Sequence, residues 1–175
     1  VYRSYLTPLR FLQRSADVFR EKTAIIHADQ RFSYPEFAER AYRLANGLKG
    51  LGVKKGDRIA ALLPNIPPML EANFGAPIIG AVLVPINTRL KGEEIAYILD
   101  HSGATVLIVD TELATQIAPV LSRLETVQTI INVEDAPGGV RLPGLDYEAF
   151  LAASSPKAPD WAITDEDETD RKSVV

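Results

Sequence analysis

Cysteine is absent from the chain. Disulfides, thiolate catalysis and Cys-based metal sites are therefore excluded. Histidine is nearly absent, with two copies, His27 and His101. Neither stands in an H-x-x-x-H or H-E pairing, so a metal site is not expected. Each is better explained as a surface or helix-terminal residue; His101 falls at a helix end, where a cation is favoured. A basic surface is missing too. The 23 acidic residues outnumber the 19 basic ones, the net charge is −4 and the pI about 5.2. That argues against a nucleic-acid or anionic-membrane surface, which needs clustered Lys and Arg. No apolar run approaches the roughly 18–20 residues that span a bilayer. The stretch Val1–Phe19 shows no h-region, so no signal peptide is expected there. The chain starts at Val1 rather than Met, and a few preceding residues are expected. Neither G-x-G-x-x-G nor G-x-x-x-x-G-K-[ST] occurs. The nearest glycine cluster is "GLKGLGVKKG", with Gly47, Gly50, Gly52 and Gly56. It follows a helical pattern instead of opening one, so these glycines read as cap and turn residues. Ser102, Ser154 and Ser155 lack a nucleophile-elbow context.

What is present is an ordinary globular composition. Hydrophobic residues make up 46 % of 175, enough for one domain core and a tail. In "TPLRFLQRSADVF", Thr7 and Pro8 suit a helix start. Leu9, Leu12, Ala16 and Phe19 then repeat at helical spacing. "KTAIIHADQRFSY" reads as two strands around the turn Ala28-Asp29-Gln30. In "SYPEFAERAYRLANGLKGLG", Ser33 and Glu36 form a capping box. Phe37, Ala41, Leu44, Leu48 and Leu51 make an inward stripe, and Gly50 and Gly52 stop the helix.

Four apolar runs follow: "DRIAALLP", "AVLVPI", "TVLIVD" and "QTIINV". None alternates with polar residues, which suits strands buried on both faces of a parallel sheet. Helical stretches separate them. "PPMLEANFGAPIIG" is the first, and "GEEIAYILDHSG", with Ile95, Ile98 and Leu99 inward, is the second. "TELATQIAPVLSRLE", with Leu113, Ile117, Val120, Leu121 and Leu124 inward, is the third. Alternating strands and helices predict an α/β fold with a parallel, doubly wound sheet and flanking helices. "EDAPGGVRLPGLD" reads as a surface loop. "DYEAFLAASS" reads as a short helix capped by Asp146, and "PKAPDWAITDEDET" as an extended connector. The expected division is an incomplete α/β unit over 1–153, a connector over 154–169 and a tail over 170–175.

One stretch carries a candidate site, "GAVLVPINTRLKGEEIAYIL". Its strand ends in Pro85 and is followed by Asn87, Thr88 and Arg89. Polar groups at the carboxyl end of a parallel strand lie where such sheets bind ligands. The competing reading is local. Asn87 and Thr88 would satisfy turn backbone groups, and Arg89 would pair with Glu93 at i,i+4. Glu93 and Glu94 are explained as helix first-turn carboxylates. The acidic run Asp165–Glu168 reads as solvated connector.

In their order and spacing, "LGVKKGDRIAALLPN", "GAVLVPINTRL", "YILDHSGA" and "ITDEDET" resemble the N-terminal region of adenylate-forming acyl-CoA synthetases. The likeness runs from about Leu6 to Thr169 and is strongest over Gly52–Asp110. It implies a reaction for the whole protein. ATP and a carboxylic acid, fatty or aryl, give an acyl-adenylate with Mg²⁺; coenzyme A then displaces AMP. In the family, a connector like "TDEDET" leads to a Ser/Thr/Gly-rich loop ending in lysine, which holds the ATP phosphates. Here "DRKSVV" follows, with no family counterpart. The expectation is a fragment of a cytoplasmic enzyme of fatty acid metabolism, ending before its first catalytic motif. No catalytic, cofactor or metal residue is assigned to it, and it is expected to be inactive alone. Two other readings stay open: a free-standing α/β module binding a small ligand at Asn87–Arg89, and a partly folded chain that self-associates through an uncovered sheet edge.

Overall fold

The computed structural model describes residues 7–160. Helix α1 (Pro8–Val18) opens on proline, whose missing N–H costs nothing in a first turn. Leu9 and Leu12 are buried. Phe19 falls beyond the helix as its C-cap and is 39 % exposed, so the inward stripe ends one turn earlier than the spacing suggests. Strands β1 (Thr23–His27) and β2 (Gln30–Ser33) then pair antiparallel, His27 opposite Gln30. The turn is thus Ala28-Asp29, with Ala28 left-handed at φ 48°, and Gln30 already belongs to the strand.

Helix α2 (Tyr34–Gly50) has the predicted start. The Glu36 N–H donates to Ser33 Oγ at 3.4 Å and the Ser33 N–H to the Glu36 carboxylate at 2.7 Å. Phe37, Ala41, Leu44 and Leu48 are buried. Leu51 is the C-cap and stays exposed. Gly52, at φ 87°, makes the left-handed turn that ends the helix. Gly47 is not a cap residue: it lies inside α2, and a Cβ there would meet the Phe150 ring at 2.5 Å.

The remaining elements alternate: β3 (Arg58–Leu62), α3 (Pro67–Ile78), β4 (Val82–Pro85), α4 (Gly92–Ser102), β5 (Ala104–Asp110), α5 (Ala114–Ile117), β6 (Thr129–Val133), β7 (Leu145–Asp146) and α6 (Tyr147–Ala152). The sheet order is β4-β3-β5-β6-β7, all parallel. Leu9, Leu44, Ala72 and Leu151, from α1, α2, α3 and α6, pack on one face around Ile59, Ile108 and Ile131. Ile95, Leu99 and Ile117, from α4 and α5, pack on the other around Ala60, Leu62 and Leu107. This is the doubly wound arrangement that the alternating runs predict.

Three local expectations change. Strand β4 is an edge strand, not a doubly buried one, and Val82 is 47 % exposed. Its Val82 N–H donates to Asp57 O and the Ile86 N–H to Ala61 O. Alternate residues therefore face β3, leaving Leu83 and Pro85 outward. Pro85 has no N–H, so Leu83 is the single outward donor of this strand. The helix expected over 111–125 breaks after Ile117, because Pro119 cannot donate and crowds the preceding turn; residues 121–123 form a 3₁₀ turn. The glycine-rich loop ends in the extra strand β7, which two residues could not announce. The acidic run and the sequence from Asp170 lie outside the described residues.

Candidate functional site

The geometry that matters is at the carboxyl ends of the strands. The loop after β3 enters α3 on one face, whereas those after β4 and β5 enter helices on the opposite face. The loops diverge on both sides of β3, and such divergence opens the crevice where α/β sheets bind ligands. Asn87, Thr88 and Arg89 follow β4 on one side of it. Asp110, Thr111 and Glu112 end and follow β5 on the other.

The first triplet is only partly committed. Asn87 Oδ1 accepts the Arg89 N–H at 3.0 Å, the local turn bond that the sequence suggests. The Thr88 carbonyl accepts Gln116 Nε2 at 3.5 Å. Arg89 does not pair with Glu93. That carboxylate is engaged by Arg123 from the following connection. The Arg89 guanidinium is exposed and has no ion-pair partner among the described residues.

On the β5 side, Asp110 and Thr111 are 2 % and 1 % exposed. Burial pushes the Asp110 carboxyl above the usual aspartate range, and the Glu112 N–H at 2.8 Å pulls it back. The Thr111 Oγ1 is buried and finds no hydrogen-bond partner among the described residues. Gly139 packs over it so closely that a Cβ there would meet Oγ1 at 2.4 Å.

A nucleotide triphosphate needs convergent N–H donors and cations. The helix starts at this edge do not supply them. Helix α3 begins with Pro67 and Pro68, which have no N–H, and the Met69 N–H goes to Ile66 O. At α4 the Lys91 N–H is taken by the Glu94 carboxylate at 2.8 Å. Helix α5 has four residues, and at α6 the Ala149 N–H is taken by Asp146 at 2.8 Å. Among the described residues no three His, Asp or Glu side chains converge as a cation site. Asp110 Oδ1 is engaged by the Glu112 N–H.

A cleft of about 630 Å³ lies between the β1–β2 hairpin and the carboxyl ends of β6 and β7. His27 Nε2 bridges it to Asp135 at 2.8 Å. Its acids are already paired: Glu134 and Asp146 with Arg141, Glu148 with Arg40. The cleft is thus an ion-paired seam. His27 is a cross-linking residue within it, while His101 stacks on Tyr97 at 5.3 Å.

At the back of this cleft is a cluster that sequence reasoning missed. Glu71 on α3 is fully buried and receives Arg40 Nε at 2.6 Å and the Tyr147 hydroxyl at 2.6 Å. Burial drives the Glu71 carboxyl upward while Arg40 and Tyr147 oppose that shift. Burial, then the adjacent Glu71 carboxylate, raises the Tyr147 phenol far above its ordinary value. Burial works against the Arg40 charge, but its bonds to Glu148 and Glu71 outweigh that and hold it protonated. Glu71 is the single charge in "PPMLEANFGAPIIG". A lone acid on a buried helix demands a partner, and that was the available signal. The cluster ties α2, α3 and α6 together.

Comparison with known proteins agrees with this architecture. The chain matches the family model for AMP-binding enzymes over residues 12–166. A peroxisomal butyrate–CoA ligase of Arabidopsis thaliana is 38 % identical over 158 residues, which cover 86 % of this chain and 28 % of that protein. The crystal structure of an anthranilate CoA ligase with anthranoyl-AMP superposes with a TM-score of 0.84 at 27 % identity, covering 93 % of this chain and 31 % of that one. The N-terminal domain of FACL13 from Mycobacterium tuberculosis superposes at 0.78 with 28 % identity, covering 92 % and 39 %. The chain spans under a third of the length of the butyrate and anthranilate ligases. The doubly wound sheet, the crevice beside β3 and a family match over most of the sequence place this chain in the AMP-binding enzyme family.

Proposed function

We propose that the chain is the amino-terminal portion of a longer AMP-forming acyl-CoA ligase of the cytoplasm. The observation that carries this reading is the family match over residues 12–166 on a fold shared with acyl-CoA ligases. In the whole protein a carboxylate oxygen attacks the α-phosphorus of ATP. Pyrophosphate leaves and an acyl-adenylate forms. The thiol of coenzyme A then attacks the acyl carbonyl and AMP leaves. Mg²⁺ supplies charge neutralisation at the phosphates. The relatives' names, butyrate and anthranilate, favour a small aliphatic or aromatic acid as substrate.

Alone, this portion is proposed to be inactive. Support comes from the crevice: the start of α3 is opened by prolines and that of α4 is filled by the Glu94 carboxylate. Arg89 is an exposed cation there, with no ion-pair partner among the described residues. The ligand-edge role of Asn87, Thr88 and Arg89 is retained as a contribution to a site completed by other segments. The test is to sequence the DNA after the Thr169 codon and express the continuous frame. Acid-dependent ATP–pyrophosphate exchange is expected; a frame without a Ser/Thr/Gly-rich loop, or a protein without exchange, overturns the proposal. Fractionation of the source cells tests the compartment.

A self-associating chain is the second reading. The exposed Val82 on edge strand β4 favours it, and the single outward donor at Leu83 opposes it. Light scattering across a concentration series separates the two.

A further inference from the structure

The segment that leaves α6 is held by one face of α2, and nearly all the polar contacts are made to its main chain. Arg43 donates to the carbonyls of Leu151 at 3.4 Å and Ser154 at 2.8 Å. Asn46 Nδ2 donates to the carbonyls of Ser155 and Lys157, each at 2.8 Å. Arg40 begins the same row at Glu148. Arg40, Arg43 and Asn46 are three apart, so they lie along one side of the helix. Gly47 beside them admits the Phe150 ring, where any Cβ would collide. Each donor meets a partner 108 to 111 residues further on. The two segments are therefore zipped in parallel and in register.

The chemistry of this row is unusual for a connector. Pro156 and Pro159 bias the residues before them to extended backbone, which leaves carbonyls free of helix bonds. Arg43 and Asn46 read those carbonyls, which every sequence has. Two side chains are also selected, the Glu148 carboxylate by Arg40 and the Phe150 ring by Gly47.

We infer that this face of α2 is a clamp for an extended main chain, and that it fixes the course of residues 153–160. Arg43 and Asn46 are positioning residues. They touch no crevice group, and their removal frees residues 153–160 while the sheet stays folded. The inference stands on this chain's own contacts and does not depend on the ligase reading.

Trypsin tests it, because Lys157 sits on the clamped segment. Asn46→Asp keeps the shape but cannot donate, and Arg43→Met keeps the stem without the guanidinium. In the double variant, cleavage after Lys157 is expected to quicken by roughly ten-fold or more, since cleavage follows the open population when reclosing is fast. Hydrogen exchange in β3 and β5 should be unchanged. Cleavage after Lys157 that is equally fast in parent and variant overturns the clamp. Loss of protection in β3 and β5 overturns its separability. Should the double variant not fold, Asn46→Asp alone is expected to give a smaller acceleration of the same cut; an unchanged rate overturns the clamp.

Discussion

Replacing Glu71 by alanine tests the buried cluster most severely. The wild-type carboxylate is fully buried and accepts Arg40 Nε and the Tyr147 hydroxyl, each at 2.6 Å. Removal strands the Tyr147 hydroxyl, whose residue is 1 % exposed; an orphaned buried donor costs about 1–3 kcal/mol. Arg40 is not stranded, because Glu148 still holds it at 2.6 Å. The expected loss is therefore about 3 kcal/mol, at the low end of the roughly 3–5 kcal/mol for breaking a buried ion pair. Glu71→Gln keeps the shape and one acceptor, and about half that loss is expected. Tyr147→Phe removes the donor with its acceptor still satisfied by Arg40, and about 1 kcal/mol is expected. Urea unfolding followed by circular dichroism measures all three. The reasoning fails if Glu71→Ala changes stability by less than about 0.5 kcal/mol, the level of an ordinary surface substitution.

Thr111→Val removes a buried hydroxyl that has no partner among the described residues; a gain of about 1 kcal/mol is expected in the same assay, and a loss of that size would reveal a hidden partner. Gly47→Ala drives a Cβ into the Phe150 ring at 2.5 Å and should cost about 1–3 kcal/mol, as overpacking does; thermal unfolding reports it. Asp146 is held below the usual aspartate range by the Ala149 N–H and then by Arg141. Its contribution is present above its unfolded value of 3.8 and fades as pH falls through the lower folded value. Asp146→Asn should therefore flatten the loss of stability below about pH 4, and an unchanged acid limb in pH-dependent unfolding would count against that assignment.

What was legible in the sequence was local or periodic. Ser33 and Glu36 announce their helix because the capping box spans four residues. The apolar runs announce buried strands because a parallel sheet needs both faces covered. Yet "AVLVPI" reads like "TVLIVD" although β4 is an edge: apolar content does not say how many neighbours a strand has. Pro85, facing outward, was the one cue. The ion pairs were illegible for a different reason. Arg89 and Glu93 stand four apart in sequence, but Arg89 lies in the turn before α4, and Glu93 finds Arg123, 30 residues on. Glu71 finds partners 31 and 76 residues away. The triplet Asn87–Arg89 could be placed at the carboxyl end of a strand by the apolar run before it, whereas the clamp on residues 151–157 could not, since its acceptors are carbonyls that no residue type marks.

The central claim, proposed above, is that this chain contributes a scaffold and the strand edge of a crevice, with too few phosphate donors among the described residues to act alone. The direct measurement is pyrophosphate release by the 175-residue chain given ATP, Mg²⁺, coenzyme A and a panel of aliphatic and aromatic acids. Release at the level of a buffer blank is predicted. Acid-dependent release that saturates with ATP would contradict the account.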